Sequence, residues 1–80
     1  MNKRFAERLN RELDSIGFPE SSSERIEAFS RLVHIPKFKA ESYLNGLANP
    51  DQTVLKIIAQ ELEVNEDWLI GRTDSKSGSH

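Results

Sequence analysis

The segment from Glu24 to Gly46 carries the side chains best suited to contact a polyanion. It reads ERIEAFSRLVHIPKFKAESYLNG and predicts two short helices joined by a tight turn at residues 33–36. The outward side of the second helix carries Lys37, Phe38, Lys39, Ser42 and Asn45. Cationic and amide side chains near the start of a short helix suit the phosphates and base edges of the DNA major groove. We therefore expect a nucleic-acid interface here.

Other kinds of site find little support in the sequence. His34 and His80 are the only histidines, and neither has a carboxylate or a second histidine at metal-ligand spacing. The serines at 21–23 lack a nearby base, and no glycine-rich phosphate loop is present. The acidic side chains in residues 61–67 indicate a solvated face. We expect no enzyme activity, no metal site and no cofactor.

Size and charge restrict the function further. Eighty residues without cysteine predict one small domain without disulfides. The net charge is −2, but it is +1 in residues 21–46 and −3 in residues 47–80. This distribution indicates one docking face. No apolar run reaches membrane-spanning length, and residues 1–10 lack the apolar region of a signal peptide, so we expect a cytoplasmic protein.

Apolar periodicity predicts helices on both sides of the turn. The first covers residues 3–16 and ends before Gly17, with an inward stripe of Phe5, Leu9, Leu13 and Ile16. A capping box of Ser21 and Glu24 predicts a second helix from about Ser22. Its inward side comprises Ile26, Phe29, Ser30 and Val33.

The remaining elements are also predicted to be helical. The third helix spans about residues 36–45, and its inward side comprises Ala40, Tyr43, Leu44 and Leu47. The fourth begins at Asp51 or Gln52, with a buried stripe of Leu55, Ile58, Ala59 and Leu62. Asn65 is expected to cap a last short helix that ends at Gly71. The domain covers residues 1–73, and residues 74–80 form a polar tail expected to be disordered.

Two stretches resemble a known family. They are FSRLVHIPKFKAESYLNG and LKIIAQELEVNEDWLIG. Both are similar to the DNA-binding domain of phage repressors of the Cro/CI, XRE type. The resemblance implies an all-α, five-helix, lambda-repressor-like fold with a helix-turn-helix at helices 2 and 3. The family often has Gln at the position of Ile26, Gly at that of His34, and Ser or Thr at that of Pro36. His34 is therefore expected to adopt a positive φ at some cost.

The resemblance also implies residue roles. Base edges would be read by Lys37, Phe38 and Ser42, with Lys39 beside them. Glu41 would repel phosphates unless it accepts a hydrogen bond from a cytosine amino group. Phosphates would be contacted by Arg25, Asn45 and Asn49.

Two aromatic side chains have more than one interpretation. Phe38 either packs on a thymine methyl group or folds back against Pro36 or helix 2. Tyr43 is expected to lie in the core with its hydroxyl at the rim, and the alternative is that this hydroxyl also contacts a phosphate.

The chain end offers a further prediction. Part of Trp68, Leu69 and Ile70 is expected to close the core, and the remainder to form an apolar dimer interface. The implied function is a transcriptional regulator, a repressor that binds a near-palindromic operator as a homodimer and is encoded by a bacterium or phage. Two alternatives stay open. One is a protein-binding module of antitoxin or anti-repressor type, and the other is the DNA-binding part of a longer repressor.

Overall fold

Five α-helices succeed one another along residues 3–74, the part of the chain that the computed structural model describes. They are α1 (Lys3–Ser15), α2 (Ser22–Val33), α3 (Lys37–Leu44), α4 (Gln52–Leu62) and α5 (Glu66–Leu69). No strand occurs within that range, so the prediction of an all-α chain is confirmed there. Most of the predicted polar tail, residues 75–80, lies outside the described residues.

The principal helix contacts form a closed ring that runs α1, α3, α2, α4, α5 and back to α1. The ring encloses a single apolar core. Phe5 and Tyr43 meet edge to face across α1 and α3, with ring centroids 6.3 Å apart. The fully or almost fully buried side chains with the largest volume are Phe5, Phe29, Leu9, Leu13, Ile58, Leu69 and Val33.

All five helices between residues 3 and 74 end in the same way. A residue in the left-handed region reverses the chain, and the next residue donates its backbone N–H to a carbonyl in the last turn. Examples are Phe18 N to Leu13 O at 2.9 Å and Leu47 N to Ser42 O at 2.9 Å. This arrangement satisfies carbonyls that a helix end leaves without partners. The left-handed residues are Gly17, His34, Gly46, Glu63 and Gly71.

Two of these five positions are not glycine. His34 has φ 59°, which confirms the positive φ expected in the turn, and its backbone N–H donates to Ser30 O. Glu63 has φ 58° at the end of α4, a conformation that no sequence pattern predicted. An L-residue in this region costs about 1–2 kcal/mol, because Cβ approaches the carbonyl oxygen.

Helix termination also explains two errors in the predicted core. Ile16 and Leu47 were expected to face inward, yet they are 54% and 64% exposed. Both follow the last residue of their helix, where helical spacing no longer decides the direction of a side chain. After α1, the chain reversal at Gly17 brings Phe18 against the core instead.

The helix starts match the predictions in position and partly in mechanism. Asp51 and Asn65 accept hydrogen bonds from the backbone of Val54 at 2.9 Å and of Asp67 at 2.8 Å. Ser21 occupies the N-cap position of α2, but its side chain makes no capping hydrogen bond, so the predicted capping box is wrong. Its carbonyl still accepts from Arg25 N at 2.8 Å, and its exposed side chain is available to water.

The membrane expectation concerns helix length and composition. Within residues 3–74, no helix has both the length and the apolar character required to cross a bilayer.

The strained end of α4 generates a stability prediction. Glu63→Gly should raise the free energy of unfolding by up to about 1 kcal/mol, because glycine adopts a positive φ without a Cβ clash. Urea denaturation followed by circular dichroism measures this change.

The matched control is Glu61→Gly, which removes the same charge from an exposed position inside α4. It should lower the free energy of unfolding by about 1 kcal/mol. Equal losses for the two variants would contradict the strain at Glu63.

Candidate nucleic-acid interface

The short helix α3 presents one side to the core and the other to solvent. Ala40, Tyr43 and Leu44 are buried and hold the helix in place. Its first turn begins after Pro36, whose carbonyl accepts from the backbone N–H groups of Lys39 and Ala40 at 3.1 and 3.0 Å. Pro36 provides no side-chain acceptor, so this cap is made by the backbone alone.

The exposed side of α3 brings together most of the predicted contact residues. The side chains of Lys37, Phe38, Lys39, Glu41 and Asn45 are exposed, and Ser42 is half-buried. Asn49 is exposed in the loop before α4. We call the surface formed by Lys37, Phe38, Lys39, Glu41, Ser42 and Asn45 the α3 face.

Phe38 is the largest apolar group on the α3 face and is 67% exposed. The alternative in which it folds back against Pro36 or α2 does not fit this exposure. A phenyl ring left in water forgoes roughly 1.5–3 kcal/mol of burial free energy. The ring is therefore free to contact a ligand.

The charges beside the α3 face involve α2 as well. The Glu27 carboxylate lies 2.6 Å from Arg31 and 3.9 Å from Lys37. Both cationic side chains remain largely exposed. The i,i+4 spacing of Glu27 and Arg31 is visible in the sequence, but the approach of Lys37 depends on how α3 packs against α2. Sequence reasoning had not placed Glu27 and Arg31 at the site.

Arg25 requires a correction, because its side chain is not available to a phosphate. The residue is 8% exposed, although it was expected to contact the DNA backbone. Its guanidinium donates to Asp14 Oδ1 at 2.5 Å and to Pro19 O at 2.8 Å. A third hydrogen bond goes to Asn10 Oδ1 at 3.2 Å. These bonds fill most of its donor capacity.

The bonds of Arg25 reach α3 through Asn10. The Asn10 amide donates to Ala6 O at 2.9 Å within α1 and to Leu44 O at 3.0 Å at the end of α3. A continuous chain of hydrogen bonds therefore runs from α2 through α1 to the last turn of α3. Arg25 positions the α3 face without belonging to it.

Two residues of the predicted dimer interface, Trp68 and Leu69, also require a correction. Trp68 and Leu69 are 6% and 0% exposed, and Ile70 is partly buried against the same core. The Arg8 guanidinium lies 4.9 Å from the centre of the Trp68 ring and donates to Trp68 O and, at 2.9 Å, to Thr73 O. The core takes up Trp68 and Leu69, so of the three predicted residues only Ile70 keeps apolar surface for a partner.

Tyr43 lies in the core, as the sequence indicated. It is 7% exposed. Burial, and to a lesser extent the negative charge of Asp51, raises the pKa of the Tyr43 hydroxyl above its usual value.

Searches of known protein families, curated proteins and solved structures returned no match to this chain.

The buried position of Arg25 leads to a stability prediction. Arg25→Ala should lower the free energy of unfolding by about 2–3 kcal/mol, because it leaves acceptors on α1 and in the loop before α2 without their donor. The control is Arg31→Ala, which removes an exposed cation from the same helix and should cost less than about 0.5 kcal/mol.

Chemical denaturation of both variants measures the difference. If Arg25→Ala is as stable as Arg31→Ala, the guanidinium does not organise the helices as described.

Proposed function

We propose that this protein binds duplex DNA sequence-specifically through the α3 face and acts as a transcriptional regulator. In this proposal α2, the turn at residues 34–36 and α3 form a helix-turn-helix. The observation that carries the proposal is the exposed Phe38 flanked by exposed Lys37 and Lys39 at the start of a short helix. An apolar group between two cations suits a groove with phosphates along its edges and base edges at its floor.

The charge distribution supports a single docking face. The chain as a whole is acidic, which weakens binding to a polyanion at most orientations. Arg31, Lys37 and Lys39 concentrate positive charge around the start of α3. Attraction would therefore favour approaches that bring this end of α3 to the DNA.

Residue roles follow from position on the helix. Lys37 and Ser42 would contact base edges, while Asn45 and Asn49 would contact phosphates. Glu41 would accept from a cytosine amino group or otherwise disfavour close phosphates. Arg25 acts only by positioning α3.

A repressor of this kind would bind a near-palindromic operator as a homodimer in the cytoplasm of a bacterium or phage host. Two copies would place their α3 helices about 34 Å apart, one turn of DNA. Because Trp68 and Leu69 are buried, the pairing surface would use other groups. We propose Leu47 for this pairing surface, because its apolar side chain is 64% exposed in the loop after α3.

The second candidate is a protein-binding module of the same fold. It is favoured by the negative net charge and by two large exposed apolar side chains, Phe38 and Leu47. It differs from the leading proposal in requiring no preference among DNA sequences.

Selection from a random pool of duplexes tests the DNA proposal. We expect enrichment of a near-palindromic site occupied by two copies in a mass measurement. Arg31 and Lys39 of two copies give about four phosphate contacts, so affinity should fall about a hundredfold between about 50 and 200 mM salt.

A pool that remains unenriched, or a bound site whose affinity is independent of salt, would refute DNA binding and favour the protein-binding module.

Glu27 provides a second prediction for the same surface. Its carboxylate competes with DNA for Arg31 and Lys37, so Glu27→Gln should raise affinity for specific and random duplexes alike. We expect the affinity to rise about two- to fivefold per protein copy, which corresponds to the free energy of one exposed ion pair. Fluorescence anisotropy on both duplexes measures the change.

Glu61→Gln is the control, because it removes the same charge from α4. An equal rise for the two variants would attribute the effect to net charge and remove Glu27 from the interface.

A further inference from the structure

Phe38 offers a contact whose chemistry can be specified more closely than the rest of the α3 face. It is 67% exposed, whereas the other three phenylalanines are fully or partly buried against the core. The fold therefore does not use this ring. Its neighbours Lys37 and Lys39 are exposed cations, so a ligand that covers the ring must also accept positive charge on both sides.

An apolar peptide would not satisfy these cations, whereas duplex DNA would. Among the four bases, only thymine places an apolar group, the C5 methyl, in the major groove. Adenine, guanine and cytosine present mainly donors and acceptors there, which a phenyl ring cannot pair.

We infer that Phe38 is a specificity-determining residue that reads the C5 methyl group of a thymine in each half of the operator. This inference rests on the proposed DNA binding. Lys37 contacts a base edge on one side of the ring and Lys39 a phosphate on the other, and the ring covers the methyl group and excludes water from it.

The methyl group can be removed without any other change in the base. Replacement of thymine by deoxyuracil deletes only that group, and Phe38→Ala deletes only the ring. The two changes form a double-mutant cycle between protein and DNA. Because Phe38 is exposed, Phe38→Ala should retain the melting temperature of the parent, which circular dichroism verifies.

The experiment uses the best site from the selection and replaces each thymine by deoxyuracil in turn. At one position per half-site, the parent protein should lose about fourfold in affinity, the value of burying one methyl group. Phe38→Ala should bind the thymine and deoxyuracil duplexes equally at that position. Ile16→Ala, which removes another exposed apolar side chain, should retain the fourfold ratio.

The outcomes separate the inference from the proposed function. If no site is enriched, both are wrong. Suppose that a site is enriched. The inference alone is overturned if no thymine methyl group in that site affects the affinity, or if the change to deoxyuracil lowers the affinity of the parent and of Phe38→Ala by the same factor.

If something other than DNA covers the Phe38 ring, the experiments give different results. If the parent self-associates without DNA and Phe38→Ala is monomeric by sedimentation, a second copy covers the ring and the inference is overturned. The inference is also overturned if Phe38→Ala binds every duplex with the same affinity as the parent protein.

Discussion

The hydrogen bonds of the buried Arg25 guanidinium determine how α3 is presented. This group joins α2 to the end of α1 and to the loop between them, and Asn10 extends the connection to Leu44 at the end of α3. A charged group at 8% exposure is stable only when its donors are satisfied. Because each donor needs its acceptor in place, these hydrogen bonds fix the three helices relative to one another. They thereby hold the α3 face in position.

The small size of the core decides the burial of the side chains at α5. A core of this size must use nearly every apolar side chain, and Trp68 and Leu69 are buried in it. Arg4 and Arg8 of α1 donate to backbone carbonyls at and beyond α5, which ties the chain after that short helix to the first one. Within residues 3–74, exposed large apolar groups are confined to Ile16, Phe38 and Leu47.

Charge and apolar exposure coincide at the start of α3. The single carboxylate of Glu27 lies beside both Arg31 and Lys37 and cannot neutralise both charges. Under the proposed function, such an arrangement would reduce indiscriminate attraction to polyanions and leave discrimination to close contacts. The proposed roles of Lys37, Phe38 and Glu27 are three parts of this one arrangement.

Apolar spacing, glycines and capping residues in the sequence predicted the five helices between residues 3 and 74 and most of their limits, because these depend on interactions within a few residues. The left-handed Glu63 at the end of α4 was not predicted. The exposed polar side of α3 and the buried Tyr43 followed from the same periodicity. Only the tertiary structure decided which charged and apolar groups the core would take. Arg25 was expected to contact phosphate because of the family resemblance, and Trp68 was expected to serve the core, an interface or both. Sequence could not decide these cases, because burial depends on contacts between residues far apart in sequence. Ile16 and Leu47 were assigned to the core because helical spacing was extended past the last turn. Where the helix stops, the direction of a side chain is set by the chain reversal and by what packs across it.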